Sequence, residues 1–136
     1  MAASDITILC VDDEETPRTL RKLILQKQGY QVITAASGTE ALEVLERTSI
    51  TLVLSDQMMP GMTGTELTKL VKATRPTMPV ILISGVNEIP ADASYADRFV
   101  SKVGGPDLLF KTVAEVLEAY GCHAMQDSGC QGQRSS

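Results

Sequence analysis

The sequence predicts an α/β domain, a parallel sheet with helices on both faces. Three observations predict it. Short β-branched apolar runs alternate with stretches whose apolar residues recur at helical spacing. The central runs are apolar on both faces, as strands covered by helices from both sides require. Two helix starts carry the Ser/Thr-x-x-Glu capping pattern. With right-handed crossovers, the strands' C-terminal ends then share one edge of the sheet.

Each element can be justified in turn. Residues 6–11 (ITILCV) read as strand one. Thr16-Pro17 reads as an N-cap followed by proline at the first helical position. Leu20, Leu23 and Ile24 supply its apolar face, and Gly29 its stop. Residues 30–35 form strand two. Ser37 to Glu40 is the first capping box, opening a helix with Ala41, Leu42 and Leu45 inward. Residues 50–55 form a fully buried strand three. A loop with Pro60-Gly61 leads to the second capping box, Thr63 to Glu66, and to a helix facing inward through Leu67, Leu70 and Val71. Residues 80–84 form strand four. Between residues 87 and 96 a helix would be short and is interrupted by Pro90. Residues 98–101 form strand five. Gly105-Pro106 opens the last helix, with Leu109, Val113, Val116, Leu117 and Tyr120 on one face. We read residues 1–120 as one domain and the polar residues 121–136 as a disordered tail.

Composition narrows the function. The chain has 136 residues, 43% apolar and 21% charged, with a net charge of −5. That length suits one domain with its own core. The negative charge argues against nucleic acid, whose phosphates need clustered Lys and Arg. No run approaches the ~18 apolar residues of a membrane span, and no secretion signal is visible at the N-terminus. Cys10 reads as a small buried apolar residue, and Cys122 and Cys130 as free thiols in a reducing, cytoplasmic compartment.

The chemistry lies at four strand ends. Asp12-Asp13, Asp56, Ser84 and Lys102 each follow an apolar run, so all should meet on one edge. Three carboxylates suit a hard divalent cation such as Mg²⁺, and their mutual repulsion favours one. Lys102 offers a charge, and Ser84 a hydroxyl, to a phosphoryl group. Gly85 leaves room beside the backbone. Alone, each has a plainer reading: an acidic first turn for Asp12-Asp13, a loop cap for Asp56, a solvated lysine for Lys102. Their coincidence in order carries the argument. Met58, Met59 and Met62 are expected to pack around the loop, since thioethers do not serve hard cations.

These residues resemble the receiver domain of two-component response regulators. The resemblance runs from Ile6 to Ala119 and rests on the acidic pair, the D-x-x-M-P-x-x-x-G pattern from Asp56 to Gly64, Ile83-Ser84-Gly85, and Phe99-Val100-Ser101-Lys102. It implies a flavodoxin-like, doubly wound five-stranded sheet of order 2-1-3-4-5. It implies that Asp56 is the phosphoacceptor for a sensor histidine kinase or phosphotransfer protein. Asp13, Asp56 and the Met58 carbonyl would ligate Mg²⁺ (or Mn²⁺), with Asp12 acting through water. Lys102 and Ser84 would hold phosphoryl oxygens, Ser84 and Phe99 would form the switch, and Gly85, Met58 and Val86 would flank the phosphoryl group.

Two features depart from the family pattern. Val103 follows Lys102 where the family commonly has proline, often in cis. A cis bond before a non-proline residue costs about 2.5–4 kcal/mol, so Lys102-Val103 is expected trans. The interval from Ser84 to Lys102 is also short, so the fourth helix should be short or absent. An altered output surface, and a monomer or weak dimer, follow from that. With no output domain after Ala119, a stand-alone phosphoacceptor that switches contact with an unknown downstream protein is expected.

Other function classes fit less well. An unphosphorylated pseudo-receiver would not need the intact acids. A small Mg²⁺-dependent phosphohydrolase would need a general acid that Gln57-Met58 lacks. A nucleotide or flavin module would want glycines after strand one, where the chain has acids. Self-dephosphorylation is expected, but not turnover of a separate substrate.

Overall fold

The computed structural model describes residues 5–85 and 96–120. The order is β1 (Thr7–Val11), α1 (Glu15–Lys27), β2 (Gln31–Ala35), α2 (Gly38–Arg47), β3 (Leu52–Asp56), α3 (Gly64–Thr74), β4 (Val80–Ser84), β5 (Arg98–Ser101), a 3₁₀ turn (Lys102–Gly104) and α4 (Gly105–Ala119). The strands form one sheet of order β2-β1-β3-β4-β5, every pair parallel, as expected. β3 and β4 are buried along their whole length because helices cover both faces. The expected short fourth helix, Val86 and the C-terminal tail lie outside the described residues.

Strand alternation divides the core in two. Ile8, Cys10, Leu52, Leu54, Ile81 and Ile83 face α1 and α4, meeting Leu25, Leu109, Val113 and Leu117. Leu9, Val11, Val53 and Leu82 face α2 and α3, meeting Ala41, Leu45, Leu67 and Val71. Each such buried aliphatic side chain contributes about 1.5–3 kcal/mol over exposure.

The capping expectations hold unevenly. Thr63 and Glu66 make the full reciprocal box. At α2, Ser37 accepts from Glu40 N, but the Glu40 carboxylate reaches back one residue further, to Ala36 N. At α1 the Thr16 expectation is corrected. The helix starts at Glu15 with Glu14 as its cap. The reason is Asp12, whose Oδ1 accepts from Glu14 N at 2.9 Å and starts the turn early. Pro17 then sits at the third helical position rather than the first, where a missing N–H still costs little. Gly29, at φ +98°, ends α1 as expected.

The α1 face is corrected in part, since Ile24 packs against the core as expected. Leu20 and Leu23 are 58% and 51% exposed, while Leu25 is buried. The inward stripe runs Arg18, Arg21, Leu25, at i, i+3 and i+7, because both arginines turn toward Asp12. Leu70 is likewise exposed rather than inward, with Leu67, Thr68 and Val71 lining the buried side of α3.

Candidate functional site

Register brings the sequence-predicted groups to one edge. Val11 pairs with Ser55, so Asp12 and Asp56 leave adjacent strands side by side. Asp56 pairs with Ile83, one residue before Ser84. Ser84 pairs with Ser101, one residue before Lys102. The carboxylates of Asp12, Asp13 and Asp56 converge, with one oxygen of each lying within 4.8 Å of the others. Asp12 and Asp56 are buried and Asp13 is exposed.

Asp56 is the open member of the set. Lys102 Nζ lies 3.1 Å from its Oδ1 as an ion pair. Among the described residues, Oδ1 is the buried side-chain oxygen left without a hydrogen-bond partner. Burial pushes the Asp56 pKa up and Asp12 adds to this, while Lys102 and Arg21 pull it down. The bond after Lys102 is trans, as expected, since the described residues contain no cis peptide. Lys102 reaches the pocket without the family's proline.

The backbone around Asp56 is held firmly. Gln57 N donates to Ile83 O at 2.8 Å, and Ser55 Oγ donates to the Asp56 carbonyl at 2.9 Å. The last glycine of the motif has a steric reason. A Cβ at Gly64 would sit 2.6 Å from Asp56 O and 3.0 Å from Gln57 Cα, so α3 could not start against the strand end. Gln57 is buried, and its Oε1 accepts from both Thr65 N and Thr65 Oγ1 at 2.9 Å. This clamp is absent from the sequence reading, as are the two arginines. Arg18 donates to the Asp12 carbonyl at 2.9 Å, and Arg21 to Asp12 Oδ2 at 2.7 Å.

The remaining expected residues are placed as follows. Ser84 is buried at the end of β4. Phe99 is half-buried against the cluster under α2 and α3. Gly85 is half-buried just beyond Ser84. Met59 is buried and Met62 packs against the same cluster, but Met58 is 51% exposed, so the packing expectation fails there. The chain turns its side chain outward as it leaves the buried Gln57.

A sequence model of the response regulator receiver domain matches residues 8–117. The chain belongs to the response regulator receiver domain family. This receiver domain is 37% identical over 116 residues to the transcriptional regulatory protein GlrR of Escherichia coli (strain K12), a match covering 82% of this chain and 26% of that protein. It is 38% identical over 120 residues to the sensor kinase CckA of Brucella abortus (strain 2308), covering 82% and 12%. The chain thus spans a small part of these curated relatives.

Two solved structures agree along nearly all of their own length. The response regulator protein TrrA of Thermotoga maritima, solved with Mg(2+)-BeF, has a TM-score of 0.78 and 33% identity, covering 82% of this chain and 99% of that one. The chemotaxis protein CheY4 of Vibrio cholerae has a TM-score of 0.76 and 31% identity, covering 82% and 98%. Receiver domains are phosphoacceptor signalling domains, and that is the function class of this chain. Among the described residues, no helix is long and apolar enough to cross a membrane.

Proposed function

We propose that Asp56 accepts a phosphoryl group from a phosphohistidine on a sensor histidine kinase or a phosphotransfer protein. The observation that carries this is the buried Asp56 Oδ1, left without a hydrogen bond beside Lys102 and two further carboxylates. Its ion pair with Lys102 leaves further lone-pair sites of this carboxylate open to a partner from outside.

The donor set fits a hard divalent cation: three carboxylates converge, and one carries the orphaned oxygen. Asp13, Asp56 and the Met58 carbonyl are the groups that would hold Mg²⁺ or Mn²⁺. Asp12 would act through water, because Glu14 N and Arg21 already occupy its two oxygens. When bound, the cation neutralises carboxylates and phosphoryl oxygens together.

An Asp56 oxygen attacks phosphorus as the P–N bond to the donor imidazole breaks. The electron pair stays on the departing nitrogen, which takes a proton, and an acyl phosphate forms. Lys102 keeps its charge on the transferred group, and the Ser84 hydroxyl donates to a phosphoryl oxygen. Gly85 leaves space for that group, and Met58 would flank it and limit the water that later hydrolyses it. Ser84 and Phe99 carry the change to a protein-binding surface. Residues 1–120 form the working domain, acting in the cytoplasm. A phosphohydrolase reading gains no support, because the Gln57 amide is not a general acid and its oxygen is taken by Thr65.

Incubation with acetyl phosphate and Mg²⁺, followed by intact-mass measurement, tests this. The wild type should gain about 80 Da, the mass of one phosphoryl group. Asp56→Asn should gain nothing. An unmodified wild type, or an Asp56→Asn variant modified to the same extent, would contradict the proposal.

A further inference from the structure

We propose that Arg21 is a built-in counter-charge of the acidic pocket and sets its affinity for the divalent cation. This rests on the metal reading above. Three carboxylates meet at the pocket, and two cations, Lys102 and Arg21, touch them, leaving one net negative charge among the five groups. Lys102 pairs with Asp56. Arg21 pairs with Asp12 at 2.7 Å and is well covered, its side chain 14% exposed against 4% for Asp12.

The placement is built into the helix. α1 carries Leu20 and Leu23 on either side of Arg21 in sequence, yet both leucines face solvent while the arginine turns inward. An apolar side chain at this position would leave the Asp12 charge buried without its partner, which is strongly unfavourable. Arg21 therefore holds the pocket together without metal. Arg18, gripping the Asp12 carbonyl, fixes the same turn from the backbone side.

The same charge opposes the cation. A unit positive charge several ångströms from a divalent ion weakens its binding by about tenfold even with full water screening, and by more where the pair is covered. Arg21→Gln should therefore bind Mg²⁺ about tenfold more tightly than the wild type, while its metal-free form melts at a lower temperature. Arg21→Lys keeps the charge and should stay within about twofold of the wild type. Lys22→Gln removes the same charge from the next helix position, where screening should hold the change within about twofold.

Thermal denaturation of the full chain across a Mg²⁺ titration, starting in chelator, reads both quantities, since the melting temperature rises with ligand binding. Unchanged or weakened Mg²⁺ binding in Arg21→Gln would overturn the proposal, as would equal tightening in Arg21→Lys or Lys22→Gln. If Arg21→Gln does not fold in chelator, millimolar Mg²⁺ should restore it, and failure to do so would also overturn it. A wild type that does not respond to Mg²⁺ removes the metal site itself and this proposal with it. A responding wild type with an unaltered Arg21→Gln affinity removes the counter-charge alone.

Discussion

Two Asp–Lys pairs stand at opposite edges of the sheet. At the N-terminal edge, Asp97 lies 2.9 Å from Lys72 Nζ; at the C-terminal edge, Asp56 lies 3.1 Å from Lys102 Nζ. The pairs look alike until their other partners are compared. Asp97 Oδ2 also accepts from Val80 N at 2.7 Å, and Oδ1 accepts from Tyr120 OH at 2.7 Å. Every oxygen is satisfied, and one carboxylate ties α3, β4, β5 and the end of α4 together. Asp56 Oδ1 has its lysine but no hydrogen bond, though it is the more deeply buried of the two. The lesson is that a saturated buried acid holds a fold, whereas an open one holds a place for a ligand.

That contrast can be broken by substitution. The largest loss of stability is expected from Gly64→Ala, which presses a Cβ against the Asp56 backbone. It should cost about 3 kcal/mol in denaturant unfolding and lower phosphoryl uptake by displacing the loop. A variant as stable and active as the wild type would show that α3 need not start so close.

Asp97→Asn should cost about 2 kcal/mol through its lost charge-assisted bonds, yet leave acetyl phosphate uptake intact. Asp56→Asn should do the reverse, raising metal-free stability by about 1 kcal/mol while abolishing uptake. Opposite signs for one chemical change sharpen the comparison, and equal signs would break it.

The smallest effect at neutral pH concerns Cys10, in β1 beneath the pocket. Burial pushes its thiol up from 9.0 to about 11. Between those values the unfolded chain releases the proton and the folded one keeps it. Folding stability from this group is therefore complete below pH 9 and is lost as pH rises toward 11. The wild type's advantage over Cys10→Ala should shrink across that window, and a constant difference would mean the strand floor is wetter than its burial implies.

Local chemistry was legible in the sequence, and long-range pairing was not. Asp13, Asp56, Ser84 and Lys102 could be placed because each ends an apolar run, and parallel strands bring such ends together. The Thr63–Glu66 cap could be read because its partners are three residues apart. The α1 face was misread because apolar spacing gives no weight to an arginine drawn inward by an acid nine residues earlier. The Gln57–Thr65 clamp spans eight residues and has no pattern of its own. The Asp97 knot joins residues 72, 80, 97 and 120, contacts that exist only after folding.

The most direct measurement is to locate the phosphoryl group. The wild type, treated with acetyl phosphate and Mg²⁺, would be reduced with borohydride, which converts an aspartyl phosphate to homoserine, and then mapped by peptide mass. The open-acid account predicts homoserine at residue 56, with Asp97 unchanged. Homoserine at Asp12, Asp13 or Asp97, with residue 56 still aspartate, would contradict it.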